Sequence, residues 1–120
     1  MNQINSLSDS YVDAWLAYCL DYSNIGVVNG RLYACDPIQG SWQPVDFHTE
    51  NVGTELIDTQ PVSIEPHWKE GVHIGWRAHC RNGMFSGAGV SHRQAALRCI
   101  LATLMNSRDV PSDLPPAKRK

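Results

Sequence analysis

The stretch HIGWRAHCRNGMFSGAGVSHRQAALRCILATL, residues 73–104, changes its apolar period from two to 3.6 near Ser91. From His73 to Cys80 the side chains alternate. Ile74, Trp76, Ala78 and Cys80 form one face, read as inward, and His73, Arg77, His79 and Arg81 form the other, read as outward. Asn82-Gly83 is a two-residue hairpin signal, which sets Arg81 opposite Met84, Cys80 opposite Phe85 and Ala78 opposite Gly87. Gly87, Ala88 and Gly89 then lie opposite the large Trp76 and are read either as making room for its indole or as a flexible glycine-rich edge. Ser91-His92-Arg93-Gln94 fits a capping box, with Gln94 reaching back to the Ser91 amide. Ala96, Leu97, Ile100, Leu101 and Leu104 give the helix that follows one apolar face, and Asn106 to Pro111 closes it.

Working outward, Val62 to Pro66 alternates and predicts a strand, with His67 to Gly71 turning the chain. Val52, Leu56 and Ile57 predict a short helix within 49–60, ended before Pro61. Pro37, Gly40 and Pro44 mark 36–44 as a loop. Ile25 to Cys35 reads as a hairpin about Asn29-Gly30, pairing Val27 with Leu32 and Ile25 with Ala34. Ser8 is the expected N-cap of a first helix whose stripe is Val12, Trp15, Leu16, Cys19 and Leu20, with Asp13 off the stripe. Two helical stripes call for a shared partner, so an α+β fold follows: an antiparallel sheet, N-terminal hairpin plus three-stranded meander, packed against an N-terminal and a C-terminal helix. A single domain over 1–110 with a flexible basic tail over 111–120 fits the length of 120 residues.

Hydrophobic residues make up 42% of the chain and no apolar run is long enough to span a membrane, so no membrane partner is expected. The N-terminus lacks the basic and apolar regions of a signal peptide, which points to the cytoplasm. Cys19, Cys35, Cys80 and Cys99 have no CxxC spacing and read as reduced core thiols. Residues 1–66 carry Arg31 against nine acids, 1 − 9 = −8, and residues 67–120 carry nine Lys or Arg against three acids, 9 − 3 = +6. Such asymmetry steers a charged partner, favours head-to-tail association into a homo-oligomer, or simply draws the two halves together.

Chemistry-bearing groups are sparse. On one strand His73 and His79 would lie about 20 Å apart while Cys80 points to the other side, so no metal ligands are assigned, and His67 or His92 would have to converge with them. Asp46, His48 and Glu50 are the densest acid–base cluster, which a loop with Asp46 capping the short helix explains equally well. Arg98 reads as a structural ion-pair partner for a carboxylate. No catalytic residue and no cofactor is assigned. The row His73, Arg77, His79 and Arg81 is the candidate binding surface, weighed against a merely solvated face.

Three stretches resemble the phage NinX-like family, with a weaker similarity to phage α-β-α sandwich domains. They are Trp42-Gln43-Pro44-Val45-Asp46-Phe47 with Val52-Gly53-Thr54-Glu55-Leu56-Ile57-Asp58 and Val62-Ser63-Ile64; Trp76-Arg77-Ala78; and Ala96-Leu97-Arg98-Cys99 with Val110-Pro111-Ser112-Asp113-Leu114. Together they span residues 42–114. The resemblance implies a bacteriophage or prophage accessory protein acting in the bacterial cytoplasm, and it carries no catalytic residues over. The expected function is a non-catalytic binding module that modulates a host bacterial protein in host takeover or anti-defence. The alternative is nucleic-acid binding in phage recombination or replication through Arg77, His79, Arg81, Arg93 and Lys118-Arg119-Lys120.

Overall fold

A computed structural model describes residues 2–38, 40–60, 62–80 and 83–115. Among them the chain runs β1 (Asn2–Gln3), a 3-10 turn (Ile4–Ser6), α1 (Asp9–Cys19), β2 (Ser23–Val28), β3 (Arg31–Cys35), β4 (Trp42–Pro44), α2 (Asn51–Thr59), β5 (Val62–Lys69), β6 (Val72–Cys80), β7 (Ser86–Gly89), α3 (His92–Met105) and β8 (Asp109–Val110). The class is α+β with antiparallel strands throughout, as the periodicity predicts.

Ser91 caps α3, its Oγ accepting from Gln94 N at 3.1 Å. The Gln94 side chain does not return to Ser91. Its Oε1 accepts from Val90 N at 2.8 Å and its Nε2 donates to Asp9 Oδ1 at 2.8 Å, so the expected reciprocal cap is instead a strap from α3 to the start of α1. Asn106, left-handed at φ +52°, ends the helix.

β5, β6 and β7 form the meander, and Ala78 stands opposite Gly87 as expected. Arg81 and Asn82, which the sequence places at the connecting turn, lie outside the described residues. Ala78 and Cys80 pack with Ala95 and Cys99 of α3. A Cβ on Gly87 would come closer than 3.0 Å to Ala95 O and Cys99 N, and one on Gly89 would crowd Gln94 Oε1 and Ala95 N in the same way. The glycines therefore admit the helix backbone, which corrects their assignment to the Trp76 indole. Arg98 fastens this contact by donating to Ala88 O at 2.7 Å and Leu7 O at 3.0 Å. Its partners are carbonyls, not the expected carboxylate. Burial draws the Arg98 pKa below its usual range, an effect that nearby Asp9 opposes.

Asn29 and Gly30 have φ of +51° and +78°, the geometry of a type I′ turn, and Val27 faces Leu32. The ladder is irregular between Ser23 and Gly26, so the expected Ile25–Ala34 pair is out of register. The segment read as a loop contributes β4, an edge strand on β3. An edge position asks no ladder N–H of Pro44. Trp42 stacks on Tyr33 with ring centroids 4.7 Å apart and donates from Nε1 to Asn24 O at 2.9 Å, which offsets the local breakers.

The expected single sheet beneath both helices is not formed. β2-β3-β4 and β5-β6-β7 are separate sheets, and β1 with β8 makes a third, short pair. α1 packs on the hairpin sheet, α3 packs on the meander, and the two helices pack on each other. Their stripes close around a core that includes Val12, Leu16, Phe47, Leu97, Ile100 and Leu101. With neighbours on two sides, α1 is buried over Val12 to Ala17, and Asp13, expected off the stripe, is inside. Leu114, placed by sequence in the tail, packs against the core, and residues 116–120 lie outside the described part.

Gly87→Ala is expected to destabilise the protein by about 2–4 kcal/mol in urea unfolding, because backbone on the facing helix cannot yield as a side chain does. Gly26→Ala is the control. A Cβ there meets nothing within 4 Å, and the change should stay within about 0.5 kcal/mol.

Candidate functional site

β5 and β6 pair from Val62–Cys80 to Lys69–Val72, whereas β7 pairs only with Trp76 to His79. The hairpin beyond Trp76 is thus a two-stranded arm, turned at Glu70-Gly71 rather than over the expected His67 to Gly71. Trp68, Val72 and Ile74 are 59%, 61% and 48% exposed on it. Ile74 was expected inward. The cause is a bulge: His67 pairs with Gly75 and Trp68 with His73, which leaves Ile74 as the extra residue, next to Gly75 at φ +151°.

A bulge shifts the alternation by one residue, and His73 changes sides. Its ring contacts Trp68 at 5.2 Å and Trp76 at 4.9 Å, and Trp76 in turn meets His92 of α3 at 3.8 Å. An aromatic ladder therefore runs from the arm tip to the start of α3. His73 belongs to this ladder and not to the outward row expected for it.

Arg77 and His79 remain on the opposite face, where each has a partner. Arg77 donates to His67 Nε2 at 3.0 Å, and because a guanidinium cannot accept, the neutral imidazole carries its proton on Nδ1. His79 Nε2 lies 3.0 Å from Glu65 Oε1, an exposed pair worth about 1 kcal/mol or less. Arg81 lies outside the described residues. Arg93 donates to Phe47 O, Glu50 O and Thr54 Oγ1. The four-membered cationic row is thus reduced, among described residues, to two engaged groups.

A second constellation joins α1 to the loop before α2. Asp46 Oδ1 accepts from His48 N at 2.9 Å and Thr49 N at 3.0 Å, and Oδ2 accepts from Thr49 Oγ1 at 2.7 Å. Asp46 thereby shapes the turn ahead of α2 instead of capping the helix, whose N-cap is Glu50. The turn aims His48 at α1, with Nδ1 2.8 Å from Asp13 Oδ1. Nε2 is buried without a hydrogen-bond partner, although Asp9 Oδ1 stands 3.3 Å away. The His48 and Asp13 side chains are 8% and 5% exposed. Burial raises the Asp13 pKa above 3.8, and Asp46 adds to the rise, while the hydrogen bond and charge of His48 oppose it. A groove of about 230 Å³ opens beside the cluster, lined in part by Asp9, Arg31, Asp46 and Thr49. Sequence reasoning found Asp46 and His48 and missed Asp13. The available signal was the i, i+4 spacing of Asp9 and Asp13, which sets both on one side of α1.

The four cysteines are free thiols, and burial pushes Cys99 up to about 11. No helix among the described residues is long and apolar enough to cross a membrane. Comparison with protein-family models gives no match, and comparison with curated proteins gives none either.

The Asp13 shift sets the sign of a pH effect. A carboxyl whose folded pKa is raised contributes stability below its unfolded value and loses it as pH rises through the folded one. Asp13→Asn should therefore gain stability relative to the wild type as pH climbs from about 4 towards about 7, measured by urea unfolding at each pH. A difference that stays flat, or moves the other way, contradicts the burial of this carboxyl.

Proposed function

We propose that this chain is a non-catalytic binding module whose β5–β6 arm docks on an apolar surface of a protein partner. The carrying observation is that Trp68, Val72 and Ile74 stand 59%, 61% and 48% exposed on an arm that the third strand does not cover. Full burial of a large apolar side chain is worth about 1.5–3 kcal/mol, and these half-exposed residues leave a part of that for a partner's surface to recover. Tryptophan is among the residue types that most often anchor an interface.

The resemblance of residues 42–114 to NinX-like proteins supports a bacteriophage or prophage accessory protein that acts on a host protein in the bacterial cytoplasm, in host takeover or anti-defence. Nucleic-acid binding has less support. Arg77, His79 and Arg93 direct their donors to His67, Glu65 and the α2 segment, which leaves them poorly placed to neutralise phosphates.

Immobilised wild-type protein is expected to retain a stoichiometric partner from host lysate. Trp68→Ala combined with Ile74→Ser should weaken that retention more than tenfold with little change in Tm, because both side chains lie outside the core. Retention unaffected by the double substitution contradicts the proposal. So does sedimentation showing that the arm merely pairs with a second copy.

A further inference from the structure

The cluster between α1 and the 46–49 turn has a geometry that the docking arm does not explain. One donor atom from each of Asp13, Asp46 and His48 lies within 4.8 Å of the others. We propose that these three residues bind one divalent transition-metal cation of the Zn2+ or Mn2+ type, with Asp9 orienting the imidazole.

Three observations converge on this assignment. The first is spacing. Two ligands held about 2.1 Å from an ion stand roughly 3 Å apart at right angles and roughly 3.4 Å apart at the tetrahedral angle, and His48 Nδ1 is 2.8 Å from Asp13 Oδ1. An ion can replace the proton between them with little movement of either side chain.

The second is the tautomer. A neutral imidazole that donates from Nδ1 to Asp13 turns the Nε2 lone pair towards Asp9 Oδ1, 3.3 Å away, and Nε2 has no hydrogen-bond partner. Metal on Nδ1 moves the proton to Nε2, which then donates to Asp9. This is the carboxylate–histidine–metal arrangement in which an outer carboxylate fixes the ligating ring. The buried nitrogen and the adjoining carboxylate are then satisfied together.

The third is charge and access. Asp9, Asp13 and Asp46 surround one imidazole, an excess of negative charge that a divalent ion balances. Asp46 is already held by His48 N, Thr49 N and Thr49 Oγ1, so its carboxylate is preset. The adjoining groove gives the ion an entry path and leaves coordination positions open to water. Two carboxylates and one imidazole without thiolate suit Mn2+, Fe2+ or Zn2+, and of these Zn2+ binds tightest.

Calorimetric titration of chelator-stripped protein with Zn2+ and with Mn2+ tests the site. One equivalent of Zn2+ is expected to bind with micromolar or tighter Kd and to raise Tm, and Mn2+ to compete more weakly. Asp46→Asn and His48→Ala should each weaken Zn2+ by at least tenfold. Long-range 1H–15N spectra of the wild type keep the test independent of how the variants fold. With one equivalent of Zn2+, the His48 ring should show a metal-bound Nδ1 and a protonated Nε2. Absence of saturable binding overturns the proposal, and so does binding that shifts His67, His73 or His92 and leaves His48 unchanged. The arm variant Trp68→Ala should bind Zn2+ normally, so this site and the docking surface stand or fall separately.

Discussion

The approach of the α3 backbone to β7 is the constraint from which the rest of the molecule follows. Gly87 and Gly89 remove the side chains that would hold the helix away, and the guanidinium of Arg98 then reaches both Ala88 O and Leu7 O. One side chain thus ties the helix, the sheet edge and the segment entering α1. Gln94 repeats the connection at the other end of that segment by donating to Asp9. The position of α1 against α3, and with it the main core, rests on these ties more than on any shared sheet.

Two unlike surfaces result. The helix covers the base of the meander and the third strand stops at Trp76, so the distal hairpin holds its shape without a core of its own. There the aromatic ladder Trp68, His73, Trp76 and His92 provides rigidity and apolar area together, a combination suited to docking. On the far side of α1 the same packing encloses Asp13 and His48. Enclosing charged groups is costly unless each has a partner, and here three carboxylates gather around one imidazole. The first surface offers recognition of another protein. The second offers cation binding, and nothing in the geometry requires one for the other.

Much of this was legible in residues and some was not, for identifiable reasons. Local signals carried well: Asn29-Gly30 made its turn, Ser8 and Ser91 capped their helices, and Val52, Leu56 and Ile57 marked α2. Long-range pairing did not. Period-two patterning cannot tell whether a hairpin and a meander share a ladder, and here they do not. It also cannot anticipate a bulge, so a single extra residue at Ile74 moved His73 off the predicted binding face. β4 was hidden because Pro37, Gly40 and Pro44 signal a loop, while the Trp42–Tyr33 stack that holds the strand joins residues nine apart. Asp13 looked like a solvent residue because a helix covered on two sides buries more than one stripe. The +6 balance of the C-terminal half was correct as arithmetic, yet Arg77, Arg93 and Arg98 among its cations are engaged within the fold.

Native-state hydrogen exchange of the free protein tests the central claim most directly, because it reads which backbone the helix–glycine contact secures. The account predicts that amides of α3 and of β6 from Trp76 to Cys80 exchange only through global unfolding, with those of Trp68 to His73 exchanging orders of magnitude faster through local opening. The opposite ranking, with the arm protected and α3 opening early while the hairpin sheet stays closed, would contradict it.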